Sequence, residues 1–341
     1  MILRFVPGVE TETLQALERE AEAEGIRTAS RTRAGRTAIA LLDEPGPAFR
    51  RRLDDLEAIE EQVVPRGAWR RVDRAFVGGP STVEVGHDPD RRVVFGGDGA
   101  VVIAGPCSVE GARFMQRVAQ QVAASGAHML RGGAYKPRTS PYAFQGLGRE
   151  GLRQLVAAGR EVGLPVVTEL VDGADTEAFV REGVDMIQIG ARNAQNFALL
   201  AHAARSGLPV LLKRGMASTV EEWLCAAEYL MEHGCERVVL CERGIRSFDR
   251  ATRNVLDLAV VPLLAEWTHL PVVVDPSHAT GRPSLVGPMA RAAIACGAAG
   301  VTVECHPDPR QARSDGPQAL LPGELTRLVS DVRVFGAVAR S

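Results

Sequence analysis

Val101-Val102-Ile103-Ala104-Gly105-Pro106-Cys107-Ser108-Val109-Glu110 joins an apolar run to a glycine-proline break and then to a thiol, a hydroxyl and a carboxylate. Consecutive β-branched residues with no polar partner positions are what a strand buried on both faces of a parallel sheet looks like. The chemistry therefore starts where the strand stops. Largely apolar runs return at residues 128–131, 165–168, 186–189, 209–212, 237–240, 271–274 and 300–303. Helical patterns separate them, for example at residues 114–124, 220–233 and 285–296. Eight strand–helix units in roughly 240 residues match a (β/α)₈ barrel in size and count. A doubly wound sheet also alternates, but nothing in it demands eight.

In such a barrel the carboxyl ends of all strands share one mouth. The residues that follow the runs are Cys107, Arg131, Glu169, Arg192, Lys213, Glu242 with Arg243, Asp275 with His278, and Glu304. One charged residue after a strand is usually just solvated; eight in register predict a site. Arg131, Lys136, Arg138, Arg192, Lys213 and Arg243 would converge there and repel one another unless anions joined them. Guanidinium groups match the planar faces of phosphate and carboxylate. So many cations can hold more than one phosphate, so two anionic substrates are expected. The formal net charge is only -2, which offers no general attraction to nucleic acid or to an anionic membrane.

Cys107, His278, Glu304 and Asp315 follow the first, seventh and eighth runs, which are neighbours once a barrel closes. A thiolate, an imidazole and two carboxylates form a borderline donor set suited to Mn, Fe, Co or Zn rather than Ca. Cys305 and His306 compete with Glu304, but if Glu304 faces inward the alternation of a strand turns Cys305 outward. Cys225, Cys235, Cys241 and Cys296 fall on helices or strand interiors and are expected only to pack. The six cysteines contain no CxxC pair and read as reduced thiols. The first residues lack a basic region followed by a long apolar run, and no stretch is long enough to span a bilayer, so a cytoplasmic enzyme is expected.

Gly146-Leu147-Gly148-Arg149-Glu150-Gly151 fits the dinucleotide pattern GxGxxG. That pattern requires a strand directly before it. Residues 139–145 contain Pro141 and polar side chains and read as a loop, so the glycines are assigned to the turn into the next helix.

Residues 1–66 follow another rhythm. Short apolar runs at 2–6, 26–30, 37–42 and 58–64 alternate with amphipathic helical patterns at 11–24 and 47–55, and Ala34-Gly35 marks a hairpin turn. The order βαββαβ is that of a ferredoxin-like α+β domain. Residues 67–98, with Trp69, Arg70, Arg71, Arg74 and Gly78-Gly79-Pro80, read as a linker followed by a hairpin around Asp88-Pro89-Asp90. The barrel then occupies residues 99–341.

The motifs Ala104–Glu110, Arg131–Ser140, Gly190-Ala191-Arg192-Asn193, Leu212-Lys213-Arg214-Gly215, Glu242-Arg243-Gly244 and Asp275-Pro276-Ser277-His278 together resemble those of the 3-deoxy-D-arabino-heptulosonate 7-phosphate (DAHP) synthases. The resemblance spans residues 101–320, nearly the whole barrel. It implies condensation of phosphoenolpyruvate with erythrose 4-phosphate, the first step of the shikimate pathway. The sister family that makes the eight-carbon sugar acid from arabinose 5-phosphate carries an Asn-containing segment where this chain has Lys136-Pro137-Arg138-Thr139. Cys107 resembles the metal-dependent members, since metal-independent relatives have Asn there.

The resemblance also implies roles. Cys107, His278, Glu304 and Asp315 would ligate the metal. Arg192, Lys213 and Arg243, with backbone N–H groups near Ala191, would hold the phosphate of phosphoenolpyruvate, and Arg131 and Lys136 its carboxylate end. Arg138 and Thr139 would take the phosphate of erythrose 4-phosphate, and Asp275 would lie near its hydroxyls. Lys136 would protonate the developing alkoxide, and Glu169 would order the attacking water. A ferredoxin-like domain beside such a barrel resembles feedback-inhibited members, which implies tyrosine or phenylalanine as effector and a homotetramer or homodimer.

Overall fold

The computed structural model describes residues 1–338. They divide into two compact units, Met1–Ser81 with Ala265–Leu270, and Thr82–Leu264 with the chain from Pro271 onward.

In the first unit, strands β1 (Ile2–Phe5), β2 (Thr28–Arg33), β3 (Arg36–Leu41) and β4 (Ile59–Val63) form an antiparallel sheet of order β2-β3-β1-β4. Helices Thr11–Ala23 and Pro47–Asp54 complete the βαββαβ order. Leu17, Ala21, Phe49 and Leu53 from the helices pack on Leu3, Phe5, Ile39 and Leu41. Ala34 and Gly35 both have positive φ, 49° and 75°, which closes a tight hairpin whose twist matches its strands. The segment expected to begin a linker is instead built into this unit. Trp69, Val72, Phe76 and Val77 are buried, and Phe76 and Val77 pack against Ile2, Ala38 and Ala40 on the other face of the sheet. Four large apolar side chains in nine residues are costly to leave in water, which is why this stretch folds.

The second unit opens with a hairpin, β5 (Val83–Val85) and β6 (Val93–Phe95). Eight parallel strands follow: β7 (Val101–Gly105), β8 (Met129–Arg131), β9 (Val166–Glu169), β10 (Met186–Ile189), β11 (Val210–Lys213), β12 (Val238–Glu242), β13 (Val272–Val274) and β14 (Gly300–Glu304). They close in sequence order, β14 pairing with β7 from Gly300↔Val101 to Glu304↔Gly105. This is the (β/α)₈ barrel the strand rhythm predicts. Val83, Val85, Val93 and Phe95 of the hairpin share one core with Val101, Ile103, Met129, Val167, Met186, Leu211, Val239 and Val273 of the barrel.

Residues 139–145 hold no strand, Gly146 makes only an isolated bridge to Tyr135, and helix Gly148–Val162 begins at the second glycine. The dinucleotide pattern therefore lacks its strand. All six cysteines are free. Burial pushes the thiols of Cys235 and Cys241 up to about 11 and about 12, which makes them inert packing groups. Cys296 differs from the expectation: it caps helix Pro283–Ala295 and is exposed. No helix among the described residues is long and apolar enough to cross a membrane.

Candidate active site

Closure of the barrel sets β14 beside β7, and so brings Glu304 to Gly105 and the loop that carries Cys107. His278 comes from the short helix Pro276–Thr280 that starts directly after β13, with Asp275 as its N-cap. Asp315 sits on the loop after β14 in a left-handed conformation, φ 49°. One ligand atom from each of Cys107, His278, Glu304 and Asp315 lies within 4.8 Å of the others. Cys107 Sγ donates to Asp315 Oδ2 at 3.2 Å, and His278 Nε2 lies 3.2 Å from Glu304 Oε1.

That last oxygen tests whether the four residues fit a cation. Glu304 is fully buried and its Oε1 has no hydrogen bond. Arg131 NH1 is 3.3 Å away but likewise makes no hydrogen bond. A buried, unsatisfied carboxylate oxygen among a thiol, an imidazole and a second carboxylate is a poor arrangement for a bare protein and a good one for a divalent ion. Burial by itself would lower the pKa of His278, but Asp275 and Glu304 raise it to about 9. Burial likewise would raise Glu304, yet His278 and Arg131 hold its carboxyl well below the usual range. The competitors are excluded by their surroundings. Neither Cys305 nor His306 contributes an atom to the cluster: the Cys305 thiol is buried, and His306 Nε2 lies 3.6 Å from Glu110 Oε2.

The quartet opens on a cavity whose lining includes Arg131, Lys136, Arg138, Thr139, Glu169, Ala191, Arg192, Lys213, Arg243 and His278. All six expected cations are there. They fall into two groups. Lys136 Nζ lies 3.0 Å from Cys107 Sγ, Lys213 Nζ donates to Asp275 Oδ2 at 2.5 Å, and Arg131 faces Glu304. In Lys136, burial opposes the charge, but Cys107 and Glu169 outweigh it and its pKa is raised. Arg138, Arg192 and Arg243, by contrast, have no ion pair among the described residues. Arg243 is 4% exposed and donates only to the carbonyl oxygens of Gly244 and His278, both at 3.3 Å. Burial lowers its pKa. A buried guanidinium without a carboxylate is stable chiefly when an anion reaches it.

Two expectations are corrected. Asp275 was expected beside a substrate hydroxyl, but it is fully buried and both its oxygens are engaged. Oδ1 accepts from His278 N at 2.9 Å; Oδ2 accepts from Lys213 and from His278 Nδ1 at 2.7 Å. It fixes the His278 ring from behind, as carboxylates do for metal-binding imidazoles. Glu242 likewise does not reach the mouth. Its carboxylate is buried, accepting from Arg214 NH1 at 3.1 Å and Gly244 N at 2.7 Å. Three residues of the site were not anticipated. Gln188 lines the cavity from β10, and a glutamine inside an otherwise apolar strand was a readable signal. Arg253 lines it from the loop after β12, and Gln318 donates to Glu304 Oε2 at 2.5 Å; both lie on irregular loops with no pattern to mark them.

Residues 80–333 match the model of the DAHP synthetase I family. The chain is 43% identical over 320 residues to the phospho-2-dehydro-3-deoxyheptonate aldolase of Thermotoga maritima, covering 94% of this chain and 93% of the relative. The crystal structure of a Thermotoga maritima protein of that name superposes with a TM-score of 0.76 at 40% identity, over 99% of this chain and 97% of the other. The 2-dehydro-3-deoxyphosphooctonate aldolase of Magnetococcus marinus is 34% identical over 258 residues, 70% of this chain and 88% of its own. Likeness to the heptonate enzymes thus extends through both units, and likeness to the octonate enzyme covers a smaller part. A barrel mouth with a four-donor quartet, three unpaired arginines and these matches has one consistent reading: the chain belongs to the DAHP synthetase I family.

Proposed function

We infer that the protein catalyses the 3-deoxy-7-phosphoheptulonate synthase reaction. Phosphoenolpyruvate, D-erythrose 4-phosphate and water give 3-deoxy-D-arabino-heptulosonate 7-phosphate and phosphate, at the head of aromatic amino acid biosynthesis. The observation that carries this reading is the set of three arginines without ion pairs, Arg138, Arg192 and Arg243, around one cavity beside the quartet. Two phosphorylated substrates supply the anions that the chain itself does not.

Cys107, His278, Glu304 and Asp315 would hold a divalent metal (Mn, Fe, Co or Zn), which supplies Lewis acidity toward the aldehyde. Arg192, Lys213 and Arg243 bind the phosphate of phosphoenolpyruvate, with the Ala191 turn beside them, and Arg131 and Lys136 meet its carboxylate. Arg138 and Thr139 bind the phosphate of the aldose. The methylene carbon of phosphoenolpyruvate bonds to the aldehyde carbon, and Lys136 delivers a proton to the oxygen that becomes an alkoxide. Glu169, 9% exposed at the cavity wall, orients the water that adds to the former enol carbon, after which phosphate departs with its C–O bond. Lys136 suits its part by position: its ammonium lies 3.0 Å from Cys107 Sγ at the wall of the cavity, where it can reach an oxygen held by the quartet.

The first unit acts as a regulatory domain that responds to tyrosine or phenylalanine, in a homotetrameric or homodimeric cytoplasmic enzyme. Support for this rests on its ferredoxin-like order and on the likeness to a relative that shares both units.

Phosphate release decides the reaction. Rapid release is expected from phosphoenolpyruvate with erythrose 4-phosphate, and loss of it after chelation with EDTA, restored by Mn(II). Turnover of arabinose 5-phosphate alone would overturn the choice of sugar, and full activity in a demonstrably metal-free sample would overturn the metal.

A further inference from the structure

Each carboxylate of the quartet presents one oxygen to the other ligand atoms and has its second oxygen held from outside. Asp315 turns Oδ2 toward Cys107 and has Oδ1 at 3.3 Å from Arg253 NH1. Glu304 turns Oε1 toward His278 and gives Oε2 to Gln318 Nε2 at 2.5 Å. The two outer contacts meet, because Arg253 NH1 also donates to Gln318 Oε1 at 2.8 Å. Arginine can only donate, so Gln318 must turn its oxygen to Arg253 and its NH₂ to Glu304. The amide therefore has one workable orientation, and a carboxylate in its place would face Glu304 with like charge.

Arg253 is itself anchored. Its N donates to Thr280 O at 3.1 Å and Asn254 N donates to Ala279 O at 2.7 Å, which ties its loop to the helix that bears His278. Asn254 Nδ2 donates to His278 O at 3.1 Å. Gln318 is 3% exposed, so its hydrogen bonds are shielded from water.

We propose that Arg253 and Gln318 are positioning residues that set the two carboxylates of the metal centre, acting in series from the loop after β12 through Gln318 to Glu304 and directly on Asp315. The proposal rests on reading the quartet as a metal site. Partners of this kind around metal ligands typically change affinity by about 10–100-fold when removed. Because Arg253 also lines the cavity, a role in binding sugar phosphate alone is the competing explanation.

Mn(II) titration of the full chain separates the two, with calorimetry as readout and circular dichroism to verify the fold. Wild-type protein should bind Mn(II), and Cys107→Ala should not. Gln318→Met, which keeps the volume and loses both hydrogen bonds, should weaken Mn(II) binding by about 10–100-fold, and Arg253→Ala by a similar factor. The double variant should fall short of the product of the two single effects, since part of the action of Arg253 runs through Gln318. Arg253→Lys, which keeps a donor, should recover part of the loss. If both single variants bind Mn(II) within twofold of wild type while Cys107→Ala does not bind, the positioning role is overturned and the metal site stands. A raised KM for erythrose 4-phosphate in Arg253→Ala with unchanged Mn(II) affinity overturns it equally. Wild-type protein that takes up no Mn(II) overturns the metal reading and this proposal together.

Discussion

Gly190 shows how closely a single residue is fitted to the cavity wall. Its φ of -72° suits any residue, so what excludes a side chain is space. A Cβ there would lie 1.8 Å from Glu169 Oε1 and 2.7 Å from its Cδ. Gly190→Ala must therefore push the Glu169 carboxylate out of place without straining the backbone. Misplacement of a working group by an ångström can cost about 100-fold in rate. A fall in kcat of that order is expected, with the thermal melting curve nearly unchanged. Undiminished phosphate release would show that Glu169 need not stand where it does. At this scale the sequence was informative about the identity of charged groups and silent about their partners. Asp275 illustrates the limit: its place after β13 was legible, but its burial under Lys213 and His278 depends on side chains 62 and 3 positions away.

Among the elements, strands were more legible than loops. Apolar runs bounded by glycine and proline mark a buried strand locally, whereas loops take their shape from whatever they touch. Two long loops at the mouth meet where the Arg313 guanidinium sits over the Phe144 ring, 3.7 Å from its centroid. One loop carries Arg138 and Thr139, the other Asp315. Ser314 Oγ and Arg313 N are tied to Ser108 Oγ and Glu110 Oε1 at 2.9 Å each, so the Phe144 side is the more easily freed. Such a contact at the surface contributes about 0.5–1 kcal/mol. Phe144→Ala should accordingly raise KM for erythrose 4-phosphate roughly two- to fivefold, with KM for phosphoenolpyruvate little changed. Equal rises for both substrates would mean that the contact orders the whole mouth rather than the aldose loop.

For the whole molecule, the question is what the first unit does. Removing residues 1–66 would leave Phe76 and Val77 without Ile2, Ala38 and Ala40, so truncation after Ser81 is the cleaner test. The truncated protein should keep phosphate release and lose any inhibition by tyrosine or phenylalanine, and inhibition that persists would reject the regulatory role.

By itself the sequence determined the barrel, the family and the four donor residues that meet at the mouth. Strand burial and strand-end position are properties of short segments, and closure in sequence order converts them directly into neighbours. Only the tertiary structure decided which cations are left without counter-charge, that Asp275 and Glu242 are buried supports rather than mouth residues, and that Arg253 and Gln318 reach the quartet. Those outcomes depend on how distant, irregular loops pack and on which charge finds a partner first, and no local pattern encodes either.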